Sequence, residues 1–176
     1  RFVGIEIRSG SGNNVQNVVS HGVGVTSLSD LPSDIVYDRC YVWNNSGTSG
    51  RRGIWLNAIR GSAIDCYVSG FREAGSDSQA ILISNGPGPY KVVNNYLEGA
   101  SENFHVGGTD PSITNCIPSD IEFRRNYLFK PIAWIGAGYN VKNLFEVKNV
   151  KRILAEGNVM ENNWADGQDG RSFLIT

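Results

Sequence analysis

Five side chains able to move protons or hold charge, Arg52, Asp77, Glu102, His105 and Lys142, fall on successive repeats of this chain. Spacing of that kind would track a polymer. Hydrolysis of a glycan needs two carboxylates flanking the bond; elimination from a uronic acid needs a base and a cation that neutralises the sugar carboxylate. Glu102, His105, Asp77 and Lys142 are therefore the candidate catalytic groups. Arg52, Gln79 and Asn103, with the loop aromatics Trp134, Tyr139 and Trp164, are the candidate substrate contacts. His105 is the sharpest of these, because a histidine beside a carboxylate can be poised as acid or base near neutral pH, and Glu102 and Asn103 precede it. The same row has a structural reading: polar residues at a turn solvate the corners of a repeat fold, and charged residues are mostly exposed for no special reason.

The elements that must position these residues announce themselves as a repeat. Cys40-Tyr41-Val42, Cys66-Tyr67-Val68, Asn95-Tyr96-Leu97, Asn126-Tyr127-Leu128 and Asn158-Val159-Met160 recur every 26 to 32 residues, a solenoid period. Three residues before each Cys or Asn lie Tyr37, Ala63, Val92, Phe123 and Ala155, and two residues after it lie Val42, Val68, Leu97, Leu128 and Met160. Alternation slips by one residue between these apolar columns, which a strand of period two cannot do without a bend. Each phrase thus reads as two short strands meeting at a corner occupied by Cys, Cys, Asn, Asn and Asn. Asn tolerates left-handed backbone, and stacked amides can bond from coil to coil, so an Asn ladder is expected.

A further strand recurs as Ile54-Trp55-Leu56, Ile81-Leu82-Ile83, Phe104-His105-Val106, Phe145-Glu146-Val147 and Phe173-Leu174-Ile175, preceded by the polar row Arg52, Gln79, Glu102, Asn143 and Arg171. Its middle column is chemically mixed, as an outward face would be. Three short strands per turn, Gly-rich corners and no helical periodicity predict an all-β fold, a parallel β-helix of about five to six coils, in one domain over residues 1–176. The crossover rule makes it right-handed. Both ends alternate like strands with no capping repeat, so the chain reads as a segment of a longer β-helix.

Two coils lengthen, at Gly107–Pro118 and Pro131–Asn140, and these insertions are expected to wall a groove. Tyr41, Tyr67, Tyr96 and Tyr127 form an outward column whose rings pack on one another or on sugar. Cys40 and Cys66 share a column as buried free thiols; Cys116 has no evident partner. No paired C-x-x-C and no His cluster stands at metal-ligand spacing, so no cofactor or metal is expected and zinc least of all. Calcium through Asp77, Glu102 or Asp110 would lack the usual D-x-[DN]-x-[DN]-G loop. Asn44-Asn45-Ser46 is a glycosylation sequon.

Composition bounds the partners. Net charge is −1 with scattered basic residues, which leaves no electrostatic footprint for nucleic acid. No apolar run approaches the roughly 20 residues of a membrane span. A polysaccharide or cell-surface glycan is the expected partner, with self-association through open sheet edges as the other route to assembly.

The runs Arg51-Arg52-Gly53-Ile54, Asp77-Ser78-Gln79-Ala80-Ile81, Gly86-Pro87-Gly88-Pro89-Tyr90, Asn94-Asn95-Tyr96-Leu97-Glu98, Pro118-Ser119-Asp120-Ile121-Glu122 and Val141-Lys142-Asn143-Leu144-Phe145-Glu146 resemble those of bacterial secreted right-handed parallel β-helix, or pectate-lyase-like, proteins. The resemblance implies the fold, with an extracellular or cell-surface location. It implies either a polysaccharide lyase or hydrolase, or a non-catalytic structural, adhesive or filament-forming module. The paired-Asp motifs of polygalacturonases and the Asp cluster and Arg of pectate lyases have no counterpart here, so the resemblance assigns no catalytic residue.

Overall fold

The computed structural model describes every residue except Ser11, Asn13 and Ser46. The chain winds through six coils, each contributing one strand to each of three parallel, six-stranded sheets. Sheet A holds Phe2–Val3, Ser33–Asp38, Ile59–Ile64, Tyr90–Val93, Ser119–Arg124 and Lys151–Glu156; sheet B holds Glu6–Arg8, Tyr41–Trp43, Tyr67–Phe71, Tyr96–Gly99, Tyr127–Phe129 and Val159–Glu161. Sheet C holds Val15–His21, Gly50–Leu56, Gln79–Ile83, Glu102–Val106, Phe145–Val147 and Phe173–Ile175. Each strand pairs only with the strands one coil before and after it, so the expected β-solenoid is the fold found.

The columns read from the repeat are the registers of the sheets. Tyr37, Ala63, Val92, Phe123 and Ala155 stand in line across sheet A, and Ile54, Ile81, Phe104, Phe145 and Phe173 do so across sheet C. Their inward faces fill the core, where Phe104 stacks on Phe123 at 4.3 Å between ring centroids. Strands this short are held because each inner position packs against apolar residues of the coils on either side, large beside small in sheet A and Ile or Phe on Phe in sheet C.

The corner between sheets A and B has one backbone solution in all six coils. The residue before the Cys or Asn position is left-handed every time: Gly4, Arg39, Asp65, Asn94, Arg125 and Gly157, with φ between 52° and 64°. This corrects the expectation that the Asn itself bends the chain; Asn95, Asn126 and Asn158 are free to use their side chains instead. Each amide oxygen reaches back one coil. Asn95 Oδ1 accepts from the Cys66 N–H at 2.9 Å, Asn126 Oδ1 from the Asn95 N–H at 3.0 Å, and Asn158 Oδ1 from the Asn126 N–H at 2.9 Å. The amide nitrogens donate to the Ala63, Val92 and Phe123 carbonyls of the same preceding coils, so the expected Asn ladder is satisfied, buried at Asn95 and Asn126 and half-buried at Asn158.

A second left-handed column, Asp34, Arg60, Asp120 and Arg152, borders sheet A. Arg60 clasps Asp34 and Arg152 clasps Asp120 with two hydrogen bonds each, between adjacent coils. Both pairs are exposed and therefore screened by solvent. The tyrosine column is outward on sheet B, with Tyr67 and Tyr96 stacked 4.2 Å apart. Its rings lie on one another. Cys40, Cys66 and Cys116 are free and buried, the last packed with Leu31 and Ile113 inside the first insertion. In the sequon, Ser46 lies outside the described residues, and the buried Asn44 amide is already bonded to Thr48 and Gly70 carbonyls. No helix among the described residues is long and apolar enough to cross a membrane.

Candidate functional site

The outward face of sheet C carries the chemistry. On a strand, residues i and i+2 share a face, so where Phe104 and Val106 enter the core, His105 must point out; the register then sets it between Leu82 and Glu146. Gln79 and Glu102 pair with each other at the first position of their strands. A depression of about 300 Å³ lies over this face, lined among others by Arg51, Arg52, Trp55, Asp77, Gln79, Glu102, His105, Lys142 and Lys148. The Arg52 guanidinium lies over the Trp55 ring, 4.5 Å from its centroid, a cation–π contact.

The floor is buried although it faces outward. Gly107, Gly108 and Thr109 fold over it from the first insertion. Gly107 and Gly108 are left-handed, at φ 95° and 87°, and a Cβ on Gly108 would stand 2.9 Å from His105 Nε2. Only glycine lets the loop lie this close. Glu102, His105 and Glu146 are consequently almost removed from water.

Hydrogen bonds fix the two carboxylates. Gln79 Nε2 donates to Glu102 Oε2 at 2.7 Å, and Asn143 Nδ2 donates to Glu146 Oε2 at 2.6 Å. Lys148 Nζ pairs with the other Glu146 oxygen at 2.6 Å. Lys142 Nζ pairs with Asp77 at 2.6 Å and lies 4.0 Å from Glu102 Oε1. His105 Nδ1 is 3.9 Å from Glu102 Oε2, too far for a hydrogen bond, and has no hydrogen-bond partner among the described residues.

Burial dominates the electrostatics. It pushes the Glu102 carboxyl up to about 7, with the neighbouring Glu146 charge adding to the effect and the Gln79 hydrogen bond and Lys142 opposing it. It pushes the His105 imidazole down to about 4. Glu146 is also lifted by burial, but the hydrogen bonds from Lys148 and Asn143 outweigh that and hold it below the ordinary carboxylate range. Near neutral pH the site therefore presents a neutral imidazole, a carboxyl that exchanges its proton, and a fixed carboxylate.

One cation behind the site is fully buried. Lys130, just after the Tyr127–Phe129 strand, donates to the carbonyls of Gly99, Ala100 and Ser101 at 2.8, 2.7 and 3.1 Å. Those three residues form the turn that leads into Glu102. Desolvation pushes its ammonium down to about 7, with the Glu102 charge pulling the other way.

Of the residues expected from sequence, Arg52, Asp77, Gln79, Glu102, His105 and Lys142 meet in this depression. Asn103 does not open onto it; its buried amide donates to the Leu97 and Phe129 carbonyls, tying sheet B of one coil to the next. Trp134, Tyr139 and Trp164 gather elsewhere, packed over Ala100 and Val141. Asp110 is exposed and bonded by Asn149, apart from Asp77 and Glu102. Sequence reasoning passed over Arg51, Trp55, Lys148 and, as a functional group, Glu146. Among the described residues, the three groups able to share a metal ion are Glu102, His105 and Glu146, whose donor atoms lie within 4.8 Å of one another.

The fold and this face define the class as a parallel β-solenoid with a polar, partly roofed cleft on one sheet. No protein family, curated protein or solved structure matches the chain.

Proposed function

We propose that this protein binds and cleaves an acidic polysaccharide outside the cell, with the glycan lying across coils two to five on the outward face of sheet C. The observation that carries the reading is convergence: side chains from four coils meet in one depression, with Arg51, Arg52, Lys142 and Lys148 as the cations around a buried acidic floor. Cations placed along a coil axis can pair with the carboxylates of successive sugars. Burial of the carboxylates favours elimination over hydrolysis: the Glu102 and Glu146 side chains are 2% and 0% exposed, too deep to flank a glycosidic bond lying over the face.

Lys142 is the group assigned to meet the sugar. It is held by Asp77, and its side chain remains 16% exposed where those of Glu102 and His105 are at 2% and 7%. A panel of uronic-acid polysaccharides, followed by ultraviolet absorbance of the unsaturated product, tests the reading. Lys142→Met is expected to lower turnover by about a hundredfold, the scale of losing one group that stabilises charge developing on the sugar carboxylate. Absence of cleavage across the panel by well-folded protein would sink the lyase assignment.

A further inference from the structure

We infer that Glu102, His105 and Glu146 form a binding site for one divalent first-row transition metal, Zn²⁺ being the ion whose chemistry fits best. Two carboxylates near each other are not a site by themselves; the imidazole makes the case. The His105 side chain is 7% exposed, and its Nδ1 is buried without a hydrogen-bond partner, 3.9 Å from Glu102 Oε2. A buried ring nitrogen facing a carboxylate and lacking any bond is a polar group left waiting for one.

The donor set selects the ion. One imidazole nitrogen and two carboxylate oxygens suit zinc, which binds such groups at about 2.0–2.2 Å and commonly keeps three protein ligands plus an open position. Calcium takes six to eight oxygens and magnesium a near-ideal octahedron of them, neither of which this trio supplies. The donor atoms, all within 4.8 Å of one another, would close to roughly 3.4 Å apart around a tetrahedral ion. The outer partners of a metal site are already in place: Gln79 orients Glu102, and Asn143 orients Glu146. Lys148 is the internal competitor, its ammonium 2.6 Å from Glu146 Oε1 where the ion would bind. The metal would exchange one counter-charge for another, and Lys148, 37% exposed, has solvent to move into.

This inference does not depend on glycan cleavage and is tested without it. Chelator-treated protein is titrated with ZnCl₂ by calorimetry and, in parallel, by NMR of the imidazole rings. The chain has only two histidines, and His21 is engaged with the Tyr37 hydroxyl at 2.6 Å, so the ring signals report location directly. One equivalent is expected to bind, shifting the His105 ring and leaving the His21 ring unchanged. His105→Gln and Glu146→Gln are each expected to weaken binding at least tenfold, while Lys148→Met tightens it several-fold. The NMR readout on the parent protein stands even where a variant fails to fold. No binding, binding that shifts His21 or leaves His105 unmoved, full affinity in both ligand variants, or equal competition by Ca²⁺ or Mg²⁺ would each overturn the assignment.

Discussion

Lys130→Met is expected to lower the free energy of unfolding by about 3 kcal/mol, the balance of two opposed terms. Methionine keeps the length and much of the volume of the lysine stem, so packing changes little. Removing the ammonium relieves a desolvation cost of several kcal/mol. Against that, the carbonyls of Gly99, Ala100 and Ser101 all lose the nitrogen on which they converge, and each buried acceptor without a donor costs roughly 1–3 kcal/mol. Three orphaned acceptors outweigh one relieved cation. Lys130→Arg is expected to be destabilised too, since a planar fork does not match three carbonyls meeting at a point. Urea unfolding with unchanged m-value measures both, and a Met variant as stable as the parent would show the cation to be dispensable. The same turn leads into Glu102, so the backbone amide signals of Asn103 and His105 are expected to shift as well.

Asn126→Ala is the other large effect, again near 3 kcal/mol, because one amide satisfies several neighbours at once. Its oxygen accepts from both the backbone and the side chain of Asn95, and its nitrogen donates to the Val92 carbonyl and to Asn158 Oδ1. Alanine leaves the buried Asn95 N–H and Val92 carbonyl without these bonds, while Asn158 Oδ1 keeps the residue-126 N–H and the Asn95 amide keeps the Ala63 carbonyl. The molecule carries its own control. At the equivalent corner of an earlier coil, the Cys40 N–H approaches Cys66 Sγ at 3.4 Å, so a thiol can stand in as a weak acceptor. Thermal or urea unfolding is expected to rank parent above Asn126→Cys and Asn126→Cys above Asn126→Ala. An alanine variant within 1 kcal/mol of the parent would mean that the ladder contributes register and little stability.

The coil count, the three strands per turn and the core columns were legible because a solenoid writes the same physical requirement once per coil, and five copies of a phrase average out local noise. The corner shows where that reasoning stopped: the position was right, but the left-handed residue is the one before it. Arg39, Asp65 and Arg125 have nothing in common as residue types that marks a bend. Residues of the site were legible as a row, since Arg52, Gln79 and Glu102 share a register. What could not be read was depth. Whether His105 lies on an open face or under a roof depends on how Gly107 and Gly108 fold back, which no periodicity encodes. Nothing in the local sequence around Lys130 marks it as a buried cation. Trp134, Tyr139 and Trp164 are candidate contacts because they lie in loops, and the loops pack them with Ala100 and Val141.

The Asn ladder has a direction, and direction gives the chain an order of completion. Every amide oxygen in it reaches from a later coil to the backbone of the one before. As the polypeptide leaves the ribosome, the corner of each coil therefore stays unfinished until its successor has been made and laid down. Cys66 is completed by Asn95, Asn95 by Asn126, and Asn126 by Asn158. The bonds run one way along the stack, so the last coil laid down is the one whose corner N–H still lacks its Asn acceptor.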